Sequence, residues 1–322
     1  MDRVIAQPSF TDLQVAGLGS PRAARFFDDC NRLIDFAALA ASLGDLHANN
    51  TPVGGAPNVP VVMMLKILFV QKTFALSDPM TEEMLLDRIS FRRFVGLPMD
   101  EKTPDETTIW RFRERLTEGR ANAMFDALVS RLREQGVILN NGTLIDATII
   151  EAPLGRKRAD GTPTADPCAS KTSKGGRAYH GYRAHLSSDR RGFVTDFIYD
   201  TARTSEHTHF DALAEKEKRF VFADSGCRSK ARVEGLRERG VFPGLCHRRV
   251  RGQKELTPFQ KRFNRFVSGI RAFVEHPIGQ IKSMMRDGGM ARYRTIRRNA
   301  ADFALCATFA NARRSMRYAT PR

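Results

Sequence analysis

The hydrophobic pattern changes at Val137, and this change constrains the fold more than any other feature of the sequence. Before it, apolar residues recur at helical spacing in successive segments. After it, residues 143–150 read TLIDATII, an apolar run rich in β-branched residues that is typical of a buried central strand. In a chain of 322 residues, this predicts an all-helical domain at residues 1–136 and an α/β domain at residues 137–322.

The N-terminal part carries helical patterns in several segments. They cover residues 22–43, 61–74, 76–86, 91–97, 107–116 and 121–135. The segment 61–74 is apolar nearly throughout, so we expect it to be a buried helix of a bundle.

The segment 107–116, TTIWRFRERL, allows two interpretations. Arg111 and Arg113 lie close together beside an ordinary apolar stripe that includes Trp110. The segment is either the recognition helix of a DNA-binding helix-turn-helix or a bundle helix whose arginines face solvent.

The C-terminal part alternates between strand and helix patterns. Strands are predicted at residues 143–150, 181–187, 192–199, 219–223 and 241–246, and helices at 206–218, 227–239, around Glu275, and at 299–316. Residues 154–178 are polar and are predicted to be an exposed loop.

Three acids stand at positions suited to chemistry. Asp146 lies in the middle of the first strand, Asp224 ends the strand at residues 219–223, and Glu275 lies on a later helix. A buried aspartate needs a compensating cation, and the strand ends of α/β sheets collect ligands. The sequence therefore predicts one shared site for magnesium or manganese, whose hard ions prefer carboxylate oxygens. For each aspartate alone, a turn cap or an ion pair is the alternative.

A charged stripe accompanies the third acid. Arg271, Glu275 and Lys282 are separated by four and then seven residues, which returns them to nearly the same side of a helix with about 3.6 residues per turn. Such a stripe suits a metal-binding carboxylate flanked by cations that hold phosphate, or simply an exposed helix with one i,i+4 pair. Pro277 interrupts the helix pattern just after Glu275.

The formal net charge of +16 favours a polyanionic partner, with nucleic acid first and an acidic membrane second. Five scattered cysteines without a C-x-x-C pair argue against a disulfide framework and a structural zinc site. The N-terminus lacks a secretory pattern and no apolar run approaches the ~20 residues of a membrane span, so we expect a cytoplasmic protein.

The chain resembles the DDE transposases of bacterial insertion sequences, of the insertion-sequence-five type. The resemblance rests on the segments ARFFDDCNRLIDFAAL, LLDRISFRRFVGL, PDETTIWRFRERL, TLIDATIIEAP, GYRAHLSSD, VFADSGCRSK, NRFVSGIRAFVEHPIGQIK and RYRTIRRNAADFAL, in this order over nearly the whole length.

The resemblance implies a ribonuclease-H-like mixed sheet flanked by helices, with Asp146, Asp224 and Glu275 as a triad that binds two Mg²⁺ (or Mn²⁺) ions. It implies cleavage at the ends of a mobile element and attack of the freed 3′-hydroxyl on target double-stranded DNA. Arg271 and Lys282 would contact phosphate or orient Glu275, and Arg183 is a further candidate DNA contact. The family further implies a bacterial, DNA-associated protein that acts as a homodimer, and the helical domain is expected to read the terminal repeats.

The sequence departs from the usual family pattern at three places. Ser268 stands where a tyrosine is usual, Cys227 stands where an aromatic residue is usual, and Ser205-Glu206 replaces His-Asp. Two alternative functions remain open: a metal-dependent nuclease that does not join strands, and a DNA-binding transposase remnant without catalysis.

Overall fold

The computed structural model describes residues 10–15, 17–46, 58–156, 159 and 165–319. The chain forms two compact units. The helical unit lies within Met1–Leu128 and Ala304–Arg322, and the sheet unit is Val129–Phe303. The helical unit thus includes C-terminal residues that the sequence pattern assigns to the second domain.

The described N-terminal part is helical. Its helices are α1 (Phe10–Gln14), α2 (Pro21–Leu33), α3 (Phe36–Ala41), α4 (Val61–Thr73), α5 (Asp78–Asp87), α6 (Ile89–Val95), α7 (Glu106–Arg115) and α8 (Glu118–Glu134). The side chains of Ser20, Asp35, Ser77 and Asp105 accept a hydrogen bond from the backbone N–H three residues later, which fixes the starts of four of these helices. The segment predicted as one helix at residues 22–43 is two helices because Asp35 caps a new start.

The core of the helical unit is aromatic. Phe94 packs against Phe27, Phe36 and Phe69, with ring centroids 4.7 to 5.8 Å apart. Most residues of α4 are buried, which confirms the prediction of a buried bundle helix. Within the described ranges, no helix is both long enough and apolar enough to cross a membrane.

The sheet unit contains a six-stranded mixed sheet. The strands are β1 (Thr143–Glu151), β2 (Ser170–Lys174), β3 (Arg177–Ser188), β4 (Val194–Thr201), β5 (Phe220–Ala223) and β6 (Phe242–Leu245), and the helices are α9 (Phe210–Ala214), α10 (Lys230–Glu238), α11 (Pro258–Arg271) and α12 (Glu275–Met284). The last helix, α13 (Ile296–Ala319), begins in the sheet unit and ends in the helical unit.

Strand β1 lies at the centre of the sheet. It is antiparallel to β3 and parallel to β5, which is parallel to β6, while β2 and β4 pair with different parts of β3. One face packs on α9 and α10 through buried apolar residues such as Ile145, Phe210 and Val233. Helix α11 contacts β1 and β5. This arrangement confirms the predicted α/β domain, a mixed sheet flanked by helices, and its strand order is consistent with a ribonuclease-H-like fold.

Two predicted segments of the sheet unit are wrong. The loop predicted at residues 154–178 contains β2 and the start of β3, because Gly175 and Gly176 take positive φ angles of 58° and 79° and form a tight hairpin turn. Residues 157, 158 and 160–164 of that segment lie outside the described residues. The helix predicted at residues 206–218 is reduced to α9, because hydroxyls just before it bond locally, as between Ser205 and Thr208, instead of supporting a helix.

The segment around Glu275 is not one continuous helix. Helix α11 ends at Arg271, a 3₁₀ turn covers Ala272–Val274, and α12 begins at Glu275. Pro277 is the third residue of α12, where a backbone N–H has no intrahelical partner, so the proline is tolerated without a kink. The break before Glu275 changes the helical phase between Arg271 and Lys282 that a uniform helix would give.

Candidate active site

Strand register places Asp146 beside Asp224. Strands β1 and β5 are parallel, with Leu144 opposite Phe222. Two residues further along, the chain reaches Asp146 within β1 and Asp224 directly after β5. Because side chains alternate between the faces of a sheet, both carboxylates lie on the same face. The structure therefore brings together two of the predicted site residues.

The guanidinium of Arg271 bridges the two aspartates. Its Nη2 atom lies 3.4 Å from Oδ2 of Asp146, and its Nη1 atom lies 3.4 Å from Oδ1 of Asp224. The side chains of Arg271 and Asp146 are 18% and 16% exposed, whereas that of Asp224 is 47% exposed. Both side chains of this pair are mostly shielded from solvent, so the arginine provides the compensating cation that a mostly buried aspartate requires.

The surroundings of Asp146 raise the pKa of its carboxyl group above the ordinary value of an aspartate. Burial raises the pKa of Asp146, while the positive charge of Arg271 and a 2.8 Å hydrogen bond from the Ala147 N–H lower it. The negative charges of Glu275 and Glu206 raise this pKa further. Glu275 thus acts electrostatically on the same carboxylate from the N-terminus of α12, where the helix dipole favours a negative charge.

Lys282 lies two turns after Glu275 on α12. Burial lowers the pKa of Lys282, and the negative charges of Glu151 and Glu275 oppose that shift. Since both acids act on the ammonium group, Lys282 lies near the acidic side of the site, and its proposed contact with phosphate stays a prediction. Arg271 has a different environment, because its guanidinium is engaged by the two aspartates.

The carboxylates of the site are ligands of the kind that hard divalent metal ions prefer. Within the described residues, no group of three or more His, Cys, Asp or Glu side chains is arranged as a metal site. The adjacent oxygens of Asp146 and Asp224 are nevertheless hard ligands that fit Mg²⁺ or Mn²⁺, and Glu275 supplies a third carboxylate nearby. A metal ion held by both aspartates would compete with Arg271 for the same oxygens.

The side chain of Arg183 is largely buried. Its side chain is 8% exposed, and its Nη1 atom lies 3.9 Å from Oε1 of Glu206. Asp146 pairs with Leu186 on β3, so strand alternation places Arg183 on the opposite face of the sheet from Asp146. Arg183 thus holds Glu206 in this structure, and a DNA contact by Arg183 stays a prediction.

Glu206 is a fourth acid near the site, and the sequence did not indicate a role for it. It is held by Arg183 and by Lys174, whose Nζ atom lies 3.4 Å from Oε1 of Glu206. Its negative charge acts on both Asp146 and Cys227. The only sequence signal was the replacement of His-Asp by Ser205-Glu206, and the spacing alone did not place that acid beside β1.

A buried histidine lies beside Arg183. Burial lowers the pKa of His185 to about 4, and the neighbouring charges of His209 and Arg183 lower it too, while the Glu206 backbone and Asp200 oppose the shift. Rings of His185 and His209 are 4.8 Å apart, and Nε2 of His209 bonds Oδ2 of Asp200 at 2.9 Å.

Because of the lowered pKa of His185, we expect the stability of the fold to decrease at acidic pH. A depressed folded-state pKa stabilises the protein fully above the unfolded pKa near 6.5, and this stabilisation is lost as the pH falls towards 4. A shift of this size corresponds to on the order of 3 kcal/mol. Between pH 6.5 and 4, we expect the free energy of unfolding of wild type to fall by about 3 kcal/mol more than that of His185→Gln. Urea unfolding at both pH values measures the difference. The exposed His207→Gln is the control, and equal pH profiles for wild type and His185→Gln would contradict the assignment.

The two arginines of α7 have different positions. Arg111 is exposed, whereas Arg113 is buried and its guanidinium bonds both oxygens of Asp78, at 2.5 and 2.7 Å, and Oε1 of Gln71 at 3.1 Å. Both open interpretations of this helix assumed outward-facing arginines. The structure corrects this for Arg113, which holds α7 to α5, and leaves Arg111 as the candidate for a DNA contact.

The departures from the family pattern fall in different environments. Ser268 is exposed on α11, one turn before Arg271. Cys227 is buried in the apolar cluster under α9 and α10, and burial raises the pKa of its thiol to about 12. Cys227 therefore fills a core position.

Two family models match long segments of the chain. Residues 139–312, more than half of the chain, match the family model described as Transposase DDE domain, and residues 20–115 match the one described as Transposase domain (DUF772). One solved structure is similar over 98% of this chain and 79% of its own, with 9% sequence identity and a TM-score of 0.41. Its title is "Cryo-EM structure of piggyBac transposase synaptic complex with hairpin DNA (SNHP)".

Proposed function

The chain belongs to the DDE transposase family, and on this premise we propose that it binds the terminal inverted repeats of an insertion sequence and catalyses metal-dependent DNA cleavage and strand transfer. The observation that carries the proposal is the pair of carboxylates, Asp146 and Asp224, which one guanidinium bridges beside Glu275. Assignment to the insertion-sequence-five type remains a prediction.

We propose Asp146, Asp224 and Glu275 as the metal-binding triad. Members of the family use divalent metal ions, and we propose two Mg²⁺ or Mn²⁺ ions here. Such ions activate a water or hydroxyl nucleophile and stabilise the leaving oxygen of a phosphodiester. The half-exposed Asp224 and exposed Glu275 give the site an open side, while the mostly shielded Asp146 anchors it to β1.

The basic residues of the site have separate proposed roles. Arg271 pairs with Asp146 and Asp224 and thereby holds their oxygens together. Its guanidinium could also bind a DNA phosphate with two hydrogen bonds, since the two aspartates would then be neutralised by the metal ions they would hold. Lys282 supports Glu275 by its positive charge.

Transposases act on DNA, and the finer assignments of partners follow from that. We propose that the substrates are double-stranded transposon ends and target DNA, and that the helical domain at residues 1–136 reads the ends with Arg111 among its contacts. A homodimer on DNA is proposed because two ends have to be cut together. The net charge of +16 supports a DNA-associated protein of the bacterial cytoplasm, whose affinity falls as salt rises.

The proposal is tested with a supercoiled plasmid that carries the element's own ends, incubated with Mg²⁺ or Mn²⁺. Wild type is expected to cut at the ends and to yield joined products, and Glu275→Gln is expected to cut at least about a hundredfold more slowly. Glu255→Gln, at an exposed carboxylate of the sheet unit, is the matched control and should cut normally.

Other outcomes identify the two alternatives. Cutting without joined products would identify a nuclease, whereas binding without cutting by the wild type would identify a DNA-binding remnant. Cleavage that survives Glu275→Gln would refute the triad assignment while leaving the family membership intact.

A further inference from the structure

The helical unit contains an open cavity of about 740 Å³ that has no part in the catalytic proposal. It lies between the start of α2, the end of α4 and the α5–α6 junction, and Arg313 of α13 also lines it. Its volume falls within the roughly 300–1,000 Å³ typical of small-ligand sites.

Phenylalanine rings form the floor of this cavity. Phe26, Phe27, Phe74 and Phe91 line it, and ring centroids of neighbouring pairs are 5.2 to 6.2 Å apart. Phe74 is 43% exposed although it belongs to this aromatic cluster. An exposed ring beside a concave aromatic surface offers a face on which a planar group can stack.

The rim of the cavity is basic. Arg22, Arg88 and Arg313 line it, and two of these guanidinium groups lie over its rings: Arg88 is 5.3 Å from the centroid of Phe91, and Arg313 is 5.8 Å from that of Phe26. The N-terminus of the 13-residue helix α2 adds a positive end at Ser20 and Arg22. The ligand that matches this rim carries negative charge next to a planar, stackable group.

One acidic group completes the lining. It is the carboxylate of Asp87. A carboxylate accepts hydrogen bonds from the exocyclic amino groups that adenine, cytosine and guanine carry. An apolar peptide side chain would leave this carboxylate unused.

We propose that this cavity binds an unpaired nucleobase of a DNA strand, with the base stacked on the exposed ring of Phe74 and the adjoining phosphates near Arg22, Arg88 and Arg313. Aromatic stacking accepts any base, while the arginines attract the strand. The inference rests on the proposed function for its choice of DNA, but it concerns a site in the helical unit that takes no part in cleavage.

The test measures binding of the full-length protein to three short duplexes without divalent metal, by fluorescence anisotropy. One duplex contains a single bulged adenine, the second an abasic bulge at the same place, and the third is fully paired. Wild type is expected to bind the duplex with the adenine bulge about tenfold more tightly than the duplex with the abasic bulge. The two duplexes have the same sugar-phosphate backbone, and only the adenine bulge carries an unpaired base that can stack.

Variants assign that preference to the cavity. Phe74→Ala is expected to abolish the preference and Phe74→Trp to retain it, while Phe220→Ala, at a ring of the sheet unit with a similar 41% exposure, should retain it. Equal binding of adenine and abasic bulges by the wild type, or an unchanged preference in Phe74→Ala, would overturn the proposal. Because the assay needs no metal and no cleavage, these outcomes are independent of the plasmid assay.

Discussion

Replacing Asp146 with asparagine is expected to reduce metal-dependent DNA cleavage by about a thousandfold or more, without unfolding the protein. Asparagine keeps the size of the side chain but removes the charge that binds a metal ion and pairs with Arg271. Losing several kcal/mol of charge stabilisation in the transition state corresponds to a factor of this size. Single-turnover cleavage of the plasmid, with Mg²⁺ and with Mn²⁺, measures it.

The same variant should be at least as stable as wild type. Burial raises the pKa of Asp146 more than Arg271 lowers it, so the charged form is disfavoured in the folded protein and a neutral amide relieves that penalty. An unchanged or raised melting temperature together with lost cleavage would separate a catalytic role from a purely structural one. A large drop in melting temperature would instead favour the ion pair as the main role of Asp146.

Asp196→Asn provides a closely matched control. Asp196 also lies within a strand of the same sheet, and its Oδ1 atom accepts a 2.8 Å hydrogen bond from the next residue's N–H, as Asp146 does. It pairs with Lys216 instead of a second aspartate and an arginine. Cleavage by Asp196→Asn should match that of wild type, and a comparable loss in both variants would contradict a specific role for Asp146.

The acidic site could be predicted largely from local sequence. The run TLIDATII is apolar and β-branched enough to be a central strand in almost any context, and a single aspartate within it has to meet a cation. Asp224 directly follows a strand, where a parallel neighbour brings it to the same edge of the sheet. In both cases, short-range pattern and long-range geometry point to the same place.

The cationic partners could not be assigned in the same way. Arg271 bridges the aspartates from the last residue of α11, a helix that contacts β1 and β5, and helix propensity carries no information about that tertiary contact. Lys174 of β2 and Arg183 of β3 both pair with Glu206, and the polar composition of residues 154–178 concealed the hairpin that holds these two strands together. The sequence shows which charged residues are present and how far apart they are along the chain, but not which of them contact each other.

Arg113 illustrates a limit of reading charge from composition. Arg113 lies close to Arg111 in a basic helix, and this sequence context predicts that Arg113 is exposed, because long charged side chains are rarely buried unless they are paired. The pairing acid, Asp78, is 35 residues away and is also the first residue of α5, whose position follows from the Ser77 cap. No periodicity within α7 contains that information.

Replacing Arg113 with methionine is expected to destabilise the helical unit by about 3–5 kcal/mol, the usual effect of removing one partner of a buried ion pair. Methionine fills similar space but removes the guanidinium, whose hydrogen bonds to Asp78 and Gln71 measure 2.5 to 3.1 Å, and leaves the Asp78 carboxylate only the neutral Gln71 Nε2 donor at 2.7 Å among these partners. Urea unfolding monitored through the single tryptophan, Trp110 of the same helix, measures the change.

Arg32→Met breaks an exposed pair with Asp29 and should change stability by less than about 1 kcal/mol. Adding Asp78→Ala to Arg113→Met should restore part of the loss, because the unpaired buried charge is removed. If Arg113→Met were as stable as wild type but bound DNA more weakly, the buried pair would be incidental and Arg113 would return to the DNA-binding surface.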